Sequence, residues 1–153
     1  MTVAWSDIAS GFLDARTLYA VLALRSAVFV VEQECAYQDP DGLDLLDGTR
    51  HLIGISGGNG IAAYARVLAP DANHPTPRIG RVMVSGRVRG QQLGRRLMER
   101  ALACCEEHWP GQPVELGAQA HLTGFYGSLG FRAVGEPYDE DGIWHVWMRR
   151  GAA

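Results

Sequence analysis

The sequence has no unbroken apolar run of about 18 residues, so no segment is suited to cross a bilayer as a helix. It also lacks a basic surplus. Its 14 Lys and Arg stand against 17 Asp and Glu, a formal charge of −3, which excludes general affinity for nucleic-acid phosphate backbones and leaves any phosphate site local. Cysteines are few: three in all, with Cys104 and Cys105 adjacent. They form neither a paired framework nor a Cys-x-x-Cys metal spacing, so reduced thiols and no metal are expected. The N-terminus has no basic stretch followed by an apolar core, and the expectation is a cytoplasmic protein without membrane contact. What is present is a folding composition, 47% hydrophobic and 20% charged over 153 residues, the size of one domain covering 1–153.

Val3 to Ile8 reads as an opening strand, and Gly11 with Asp14 supplies the turn and cap that start a helix. Val21, Leu22, Val28 and Phe29 recur at helical spacing to about Val31, and Arg25 shares their face. Cys35 to Thr49, with Asp39-Pro40-Asp41-Gly42, reads as a long loop, the kind that often carries function. His51 to Ser56 and Ile61 to Leu68 flank Gly57-Gly58-Asn59-Gly60 as a hairpin, and Arg78 to Ser85 makes a third strand. From Gly90 a helix is expected, with Leu93, Leu97, Met98, Ala101, Leu102, Cys105 and Trp109 on one stripe. Val114 to Ala118, Arg132 to Val134 and Ile143 to Arg149 read as strands, and Leu122 to Leu129 as a short helix. This order implies a layered α/β protein with an antiparallel half and a parallel crossover around the Gly90 helix.

The run from Val82 to Gly94 joins a strand to a helix through a basic, glycine-bearing turn. Helix N-terminal N–H groups and the helix dipole favour an anion there, and Arg87, Arg89, Arg95 and Arg96 add charge, although solvated arginines on an ordinary capped turn give the same pattern. Arg89-Gly90-Gln91-Gln92-Leu93-Gly94 and, about 30 residues on, Tyr126-Gly127-Ser128-Leu129-Gly130-Phe131 together resemble the GNAT acyltransferase superfamily. Gln92 stands where that pattern carries its first glycine. The resemblance extends to the ElaA-like branch through Leu24 to Gln33, Leu116 to His121 and Tyr138 to Ile143.

The resemblance implies a three-layer mixed α+β fold: a mixed sheet of about six to seven strands with a splayed parallel pair, flanked by about four helices. It implies a single acyl-CoA N-acyltransferase domain in which an amine attacks the thioester of acetyl-CoA or another acyl-CoA directly. Val82, Met83 and Val84 would pair with the pantetheine arm; Arg89, Gly90, Gln91, Gln92, Leu93, Gly94 and Arg95 would hold the pyrophosphate, with Gln119 and Phe125 beside the cofactor. Tyr126, whose ordinary pKa lies near about 10, would donate to the departing thiolate; otherwise it is a ring packed on a short helix. Glu32 and His121 are candidates for taking the amine's proton, against roles as a helix-end carboxylate and a structural histidine. Arg25, Glu32 and Gln33 are candidates for acceptor contacts, ahead of Tyr37, His51 and His145. The resemblance implies a small-molecule or peptide amine as acceptor, and a monomer or homodimer is expected. Two other functions fit the pattern: an acyl-CoA-binding sensor without turnover, and an acyl-homoserine-lactone synthase. A nucleotide P-loop is excluded, since no Gly-Lys-Ser/Thr follows Gly94.

Overall fold

A computed structural model describes residues 2–58, 60–86 and 92–151. Strand β1 (Val3–Ala9) leads through a short 3-10 turn into α1 (Ala15–Arg25), whose N-cap Asp14 accepts a 2.7 Å bond from Thr17 N. After Arg25 the helix widens into a π segment, Ser26–Glu32. Its end carries five-residue spacings, Gln33 N to Val28 O and Cys35 N to Val30 O, at 3.2 and 3.1 Å. The periodicity had implied one uniform helix to Val31. The π segment instead keeps Val28 in the core while turning Phe29 and Gln33 toward a cleft.

Strands β2 (Arg50–Ser56), β3 (Gly60–Leu68) and β4 (Arg78–Val84) continue an antiparallel series from β1. Gly58 and Gly60 take positive φ in the expected hairpin turn, whose Asn59 lies outside the described residues. Helix α2 (Leu93–His108) crosses over to β5 (Val114–Gln119), and this return makes β4 and β5 parallel. Then come α3 (Thr123–Gly127), β6 (Arg132–Ala133), β7 (Tyr138–Glu140) and β8 (Ile143–Arg150). The sheet order is β1-β2-β3-β4-β5-β8-β6, with β7 also paired to β8. The added strand is β7, whose three residues Tyr-Asp-Glu are too short and polar to register as a periodic run.

Three layers result. On one face α1 and the π segment bury Val21 and Val28 against Ile53, Tyr64 and Met83. On the other, α2 lays Leu97, Met98, Ala101, Cys104 and Cys105 on Ala63, Ala65, Val67, Leu116 and Met148. The expected stripe holds, with Cys104 added and Leu102 and Trp109 only half-buried. All three cysteines are free, and burial pushes the Cys105 thiol up to about 12. Among the described residues no helix is long and apolar enough to cross a membrane.

Candidate functional site

The site begins with a parting of strands. β4 and β5 share one register pair, Arg78 with Glu115, and past it their facing edges are no longer paired with each other. A cleft of about 490 Å³ opens there, lined from β4 by Ile79–Val82 and from β5 by Leu116, Gly117 and Gln119. β4 also bulges. Its register to β3 passes from Tyr64–Met83 to Arg66–Gly80, so Arg81 and Val82 both stand opposite Ala65. Arg81 takes φ 52°, a left-handed conformation that costs a non-glycine residue about 1–2 kcal/mol. Its side chain is held by Asp39, through Nε to Oδ1 at 2.9 Å and Nη2 to the carbonyl at 3.0 Å. The bulge leaves Val82 on the α2 side of the sheet and Met83 on the α1 side.

One wall of the cleft is the loop from Cys35 to Thr49, pinned by three arginines from three elements. Arg25 from α1, wholly buried, donates Nε to Asp39 Oδ2 at 2.7 Å and Nη1 to Asp44 Oδ1. Arg66 from β3 grips Asp41 with both Nη atoms at 2.8 Å and reaches Asp44 at 3.1 Å. Arg81 from β4 adds its bonds to Asp39 and one to Asp41 at 3.2 Å. Burial works against Asp41's charge, but the paired bonds and charge of Arg66 outweigh it and bring its carboxyl down to about 2. Burial likewise opposes the charges of Arg25 and Arg66. The facing aspartates prevail, and both guanidinium groups are held more basic than usual.

Tyr126 enters the cleft from α3, and a helix cap fixes it. Phe131 N donates to Tyr126 O at 3.1 Å and Gly130 N to Gly127 O at 3.0 Å, the paired bonds of a Schellman motif, with Gly130 at φ +95°. The Phe131 ring meets the Tyr126 ring edge-on at 6.1 Å. Tyr-x-x-x-Gly-Phe is thus a folding instruction: glycine supplies the positive φ, and phenylalanine folds back to hold the tyrosine. Burial pushes the Tyr126 hydroxyl up to about 12. Among the described residues that hydroxyl has no hydrogen-bond partner.

At the start of α2 a second, open depression of about 390 Å³ is lined by Gln92, Leu93, Gly94, Arg95 and Phe125. Gln92 caps the helix at φ 56°, ψ 23°, the left-handed conformation that glycine adopts freely. A Cβ at Gly94 would lie 3.7 Å from the Phe125 ring, so the bare glycine keeps the depression open beside that ring. Arg87 and Arg89–Gln91, expected to complete the turn, lie outside the described residues.

Residues 27–151 match the family model of the acetyltransferase (GNAT) domain. The chain belongs to the GNAT family. It is similar to protein ElaA of Escherichia coli, at 49% identity over 97% of this chain and 96% of the relative. The crystal structure of Escherichia coli ElaA superposes with a TM-score of 0.91 at 48% identity, covering 97% of this chain and 99% of that one. An acyl-CoA N-acyltransferase from Pseudomonas aeruginosa superposes at 0.94 with 47% identity, over 98% and 100% of the two chains.

On this GNAT scaffold the expected site residues divide. Val82, Gln33, Gln119 and Tyr126 line the cleft, and Gln92, Leu93, Gly94, Arg95 and Phe125 the depression at α2. Gln33 and Gln119 bond reciprocally at 3.4 and 3.3 Å, tying the end of the π segment to β5. Met83 is buried under α1, and Val84 packs on the α2 side. Arg25 has no exposed surface, so its place on the apolar helix face serves the loop anchor and not acceptor contact. His51 is equally enclosed, with Nε2 donating to Asp44 O at 2.9 Å and Nδ1 accepting from the Tyr64 hydroxyl at 2.6 Å. Glu32 and His121 are exposed and outside the cleft lining. His145, Tyr138, Glu140 and Asp141 do line it, brought in by β7. The segment Tyr138 to Ile143 carried family likeness in the sequence, but nothing there told which side chains turn inward.

The loop anchor has a pH signature. Asp41 ionises at about 2 in the folded chain against an ordinary 3.8, so its contribution to stability is complete above about pH 4 and is lost as pH falls through its folded value. Asp44, lowered by Arg25 and Arg66 against its burial, acts in the same direction. The urea midpoint is expected to hold from pH 7 to about 4 and then fall. The fall should be shallower in Asp41→Asn, and parallel pH curves for the two proteins would remove Asp41 from the anchor.

Proposed function

We propose that the chain, acting as a single domain, transfers an acyl group, acetyl in the simplest case, from coenzyme A to a primary amine in a ternary complex. The observation that carries this reading is the parted β4–β5 pair with Tyr126 at its cleft. An extended pantetheine arm is rich in amide groups and suits the unpaired strand edge as an added strand does. The depression at the start of α2 suits the pyrophosphate, through backbone N–H groups, the helix dipole and Arg95. The acyl carbonyl would then sit between Val82 on β4 and Tyr126. The amine nitrogen attacks, the carbon–sulfur bond breaks, and the Tyr126 hydroxyl hydrogen-bonds the departing sulfur.

Calorimetric titration with acetyl-CoA, followed on the same sample by thiol release against a panel of amines, amino-terminal peptides and polyamines, tests the reading. Saturable binding with amine-dependent release is expected. Binding without release from any amine would leave a sensor, and absence of binding to acetyl-CoA and longer acyl-CoA thioesters would remove the cofactor assignment.

A further inference from the structure

The ring of His145 is the cleft imidazole whose hydrogen the fold positions. It stands on β8 opposite Gln119, 8% exposed. Its Nδ1 lies 2.8 Å from the carbonyl oxygen of Ile143. A carbonyl can only accept, so in the neutral ring Nδ1 carries the hydrogen and Nε2 keeps its lone pair. Nε2 faces Glu140 Oε2 at 3.5 Å. Tyr138 stacks on the imidazole with centroids 5.8 Å apart and planes at 25°. Tyr138 is itself seated over Gly117, where an added Cβ would lie 2.6 Å from its hydroxyl. The ring is therefore oriented by one hydrogen bond, backed by one aromatic face and opposed by one carboxylate.

The surrounding charge selects a ligand class. Glu140 and Asp141 line this wall, and among the described residues neither carboxylate has an arginine partner. Arginines elsewhere in the cleft are already matched: Arg66 by Asp41 and Asp44, Arg81 by Asp39 and Asp41, Arg78 by Asp71. Among the described residues the β7–β8 wall thus keeps a negative charge that no arginine matches, and an ammonium is its complement.

We infer that the β7–β8 wall seats a cationic primary amine and that His145 Nε2 takes the proton this amine must lose before attack. The inference rests on the acyl-transfer reading. The ammonium gives one proton to Nε2, and Glu140 stabilises the imidazolium. The freed lone pair forms the nitrogen–carbon bond, the sulfur leaves with the carbon–sulfur electron pair, and the second nitrogen proton ends on the sulfur. Amide, free coenzyme A and a protonated His145, which returns its proton to solvent, close the cycle.

His145→Gln keeps the volume and a polar end but cannot accept the proton at a ring nitrogen. Its turnover with a cationic amine should fall about 10²-fold while acetyl-CoA affinity stays at the parent value. In His145→Ala, added imidazole should restore turnover in proportion to its concentration. A merely structural ring would not give that response. Glu140→Gln should raise KM for the amine without changing acetyl-CoA affinity. Parent-level turnover in His145→Gln, or no imidazole rescue in a His145→Ala protein that still binds acetyl-CoA, would overturn the base. A parent protein that releases no thiol with any amine would instead sink the acyl-transfer reading, and this inference with it.

Discussion

Replacing Arg25 with Met should lower stability by about 3–5 kcal/mol, read as a fall in the urea midpoint and a drop of about 10 °C in the thermal midpoint. Methionine fills much of the same space, so the loss would come from charge. Asp39 and Asp44 lie buried, and Arg25 supplies four hydrogen bonds to that pair, counting the contacts of Nη2 with Asp39 O at 3.2 Å and Asp44 Oδ2 at 3.3 Å. Removing Arg25 takes four hydrogen bonds and a positive charge from two buried carboxylates that water cannot resolvate in its place, and breaking a buried ion network from one side is worse than never having built it. Arg66 and Arg81 still reach Asp44 and Asp39, so the loop would loosen before it detached. The cleft should feel this. Tyr37, Asp41 and Leu43 form its wall, and Arg81 holds its left-handed conformation by bonds to Asp39, which Arg25 also holds, and to Asp41. Arg25→Lys should recover only part of the stability, because a single ammonium cannot span two carboxylates. An unchanged midpoint in Arg25→Met would mean that the two aspartates are satisfied without it.

How this anchor escaped the sequence is instructive. Arg25 shares a helical face with Val21 and Val28, and periodicity reports only that it turns inward. Its partners lie 14 and 19 residues further on, within Asp39-Pro40-Asp41-Gly42-Leu43-Asp44, a run whose turn chemistry was plain and whose three carboxylates each find an arginine from a different element. That convergence is tertiary. The same holds for His145: strand alternation places it on one face of β8, but only the short strand β7 brings Tyr138 and Glu140 beside it. Local signals fared better. The stripe on α2, the Asp14 cap, the glycine hairpin and Tyr126 through Phe131 are each decided within a few residues, so sequence carries them. Gln92 is an instructive middle case. Its side chain departs from the family pattern, yet its backbone adopts the glycine-like conformation.

Tyr126→Phe should reduce turnover about 10²-fold with acetyl-CoA affinity and thermal stability near the parent values. The substitution isolates chemistry because the fold uses the ring and not the hydroxyl. The ring is packed edge-on between Phe125 at 5.1 Å and Phe131 at 6.1 Å, contacts that phenylalanine reproduces. Among the described residues the hydroxyl bonds to nothing, so its loss strands no partner. Burial pushes that hydroxyl up to about 12, while a coenzyme A thiol behaving like Cys ionises near about 8.5. Full transfer of the proton to the thiolate is uphill even at the ordinary pKa values of the two groups, by about 2 kcal/mol. The hydroxyl therefore acts as a hydrogen-bond donor whose contribution grows as negative charge gathers on sulfur, and it stays protonated across the range in which an amine assay is run. Two measurements follow from that assignment. Turnover should show no loss attributable to Tyr126 ionisation up to about pH 10, and acyl donors with better leaving groups, such as aryl thioesters, should narrow the gap between parent and Tyr126→Phe. Equal turnover of the two proteins, or a gap that ignores the leaving group, would return Tyr126 to a packing role and leave the departing sulfur to solvent.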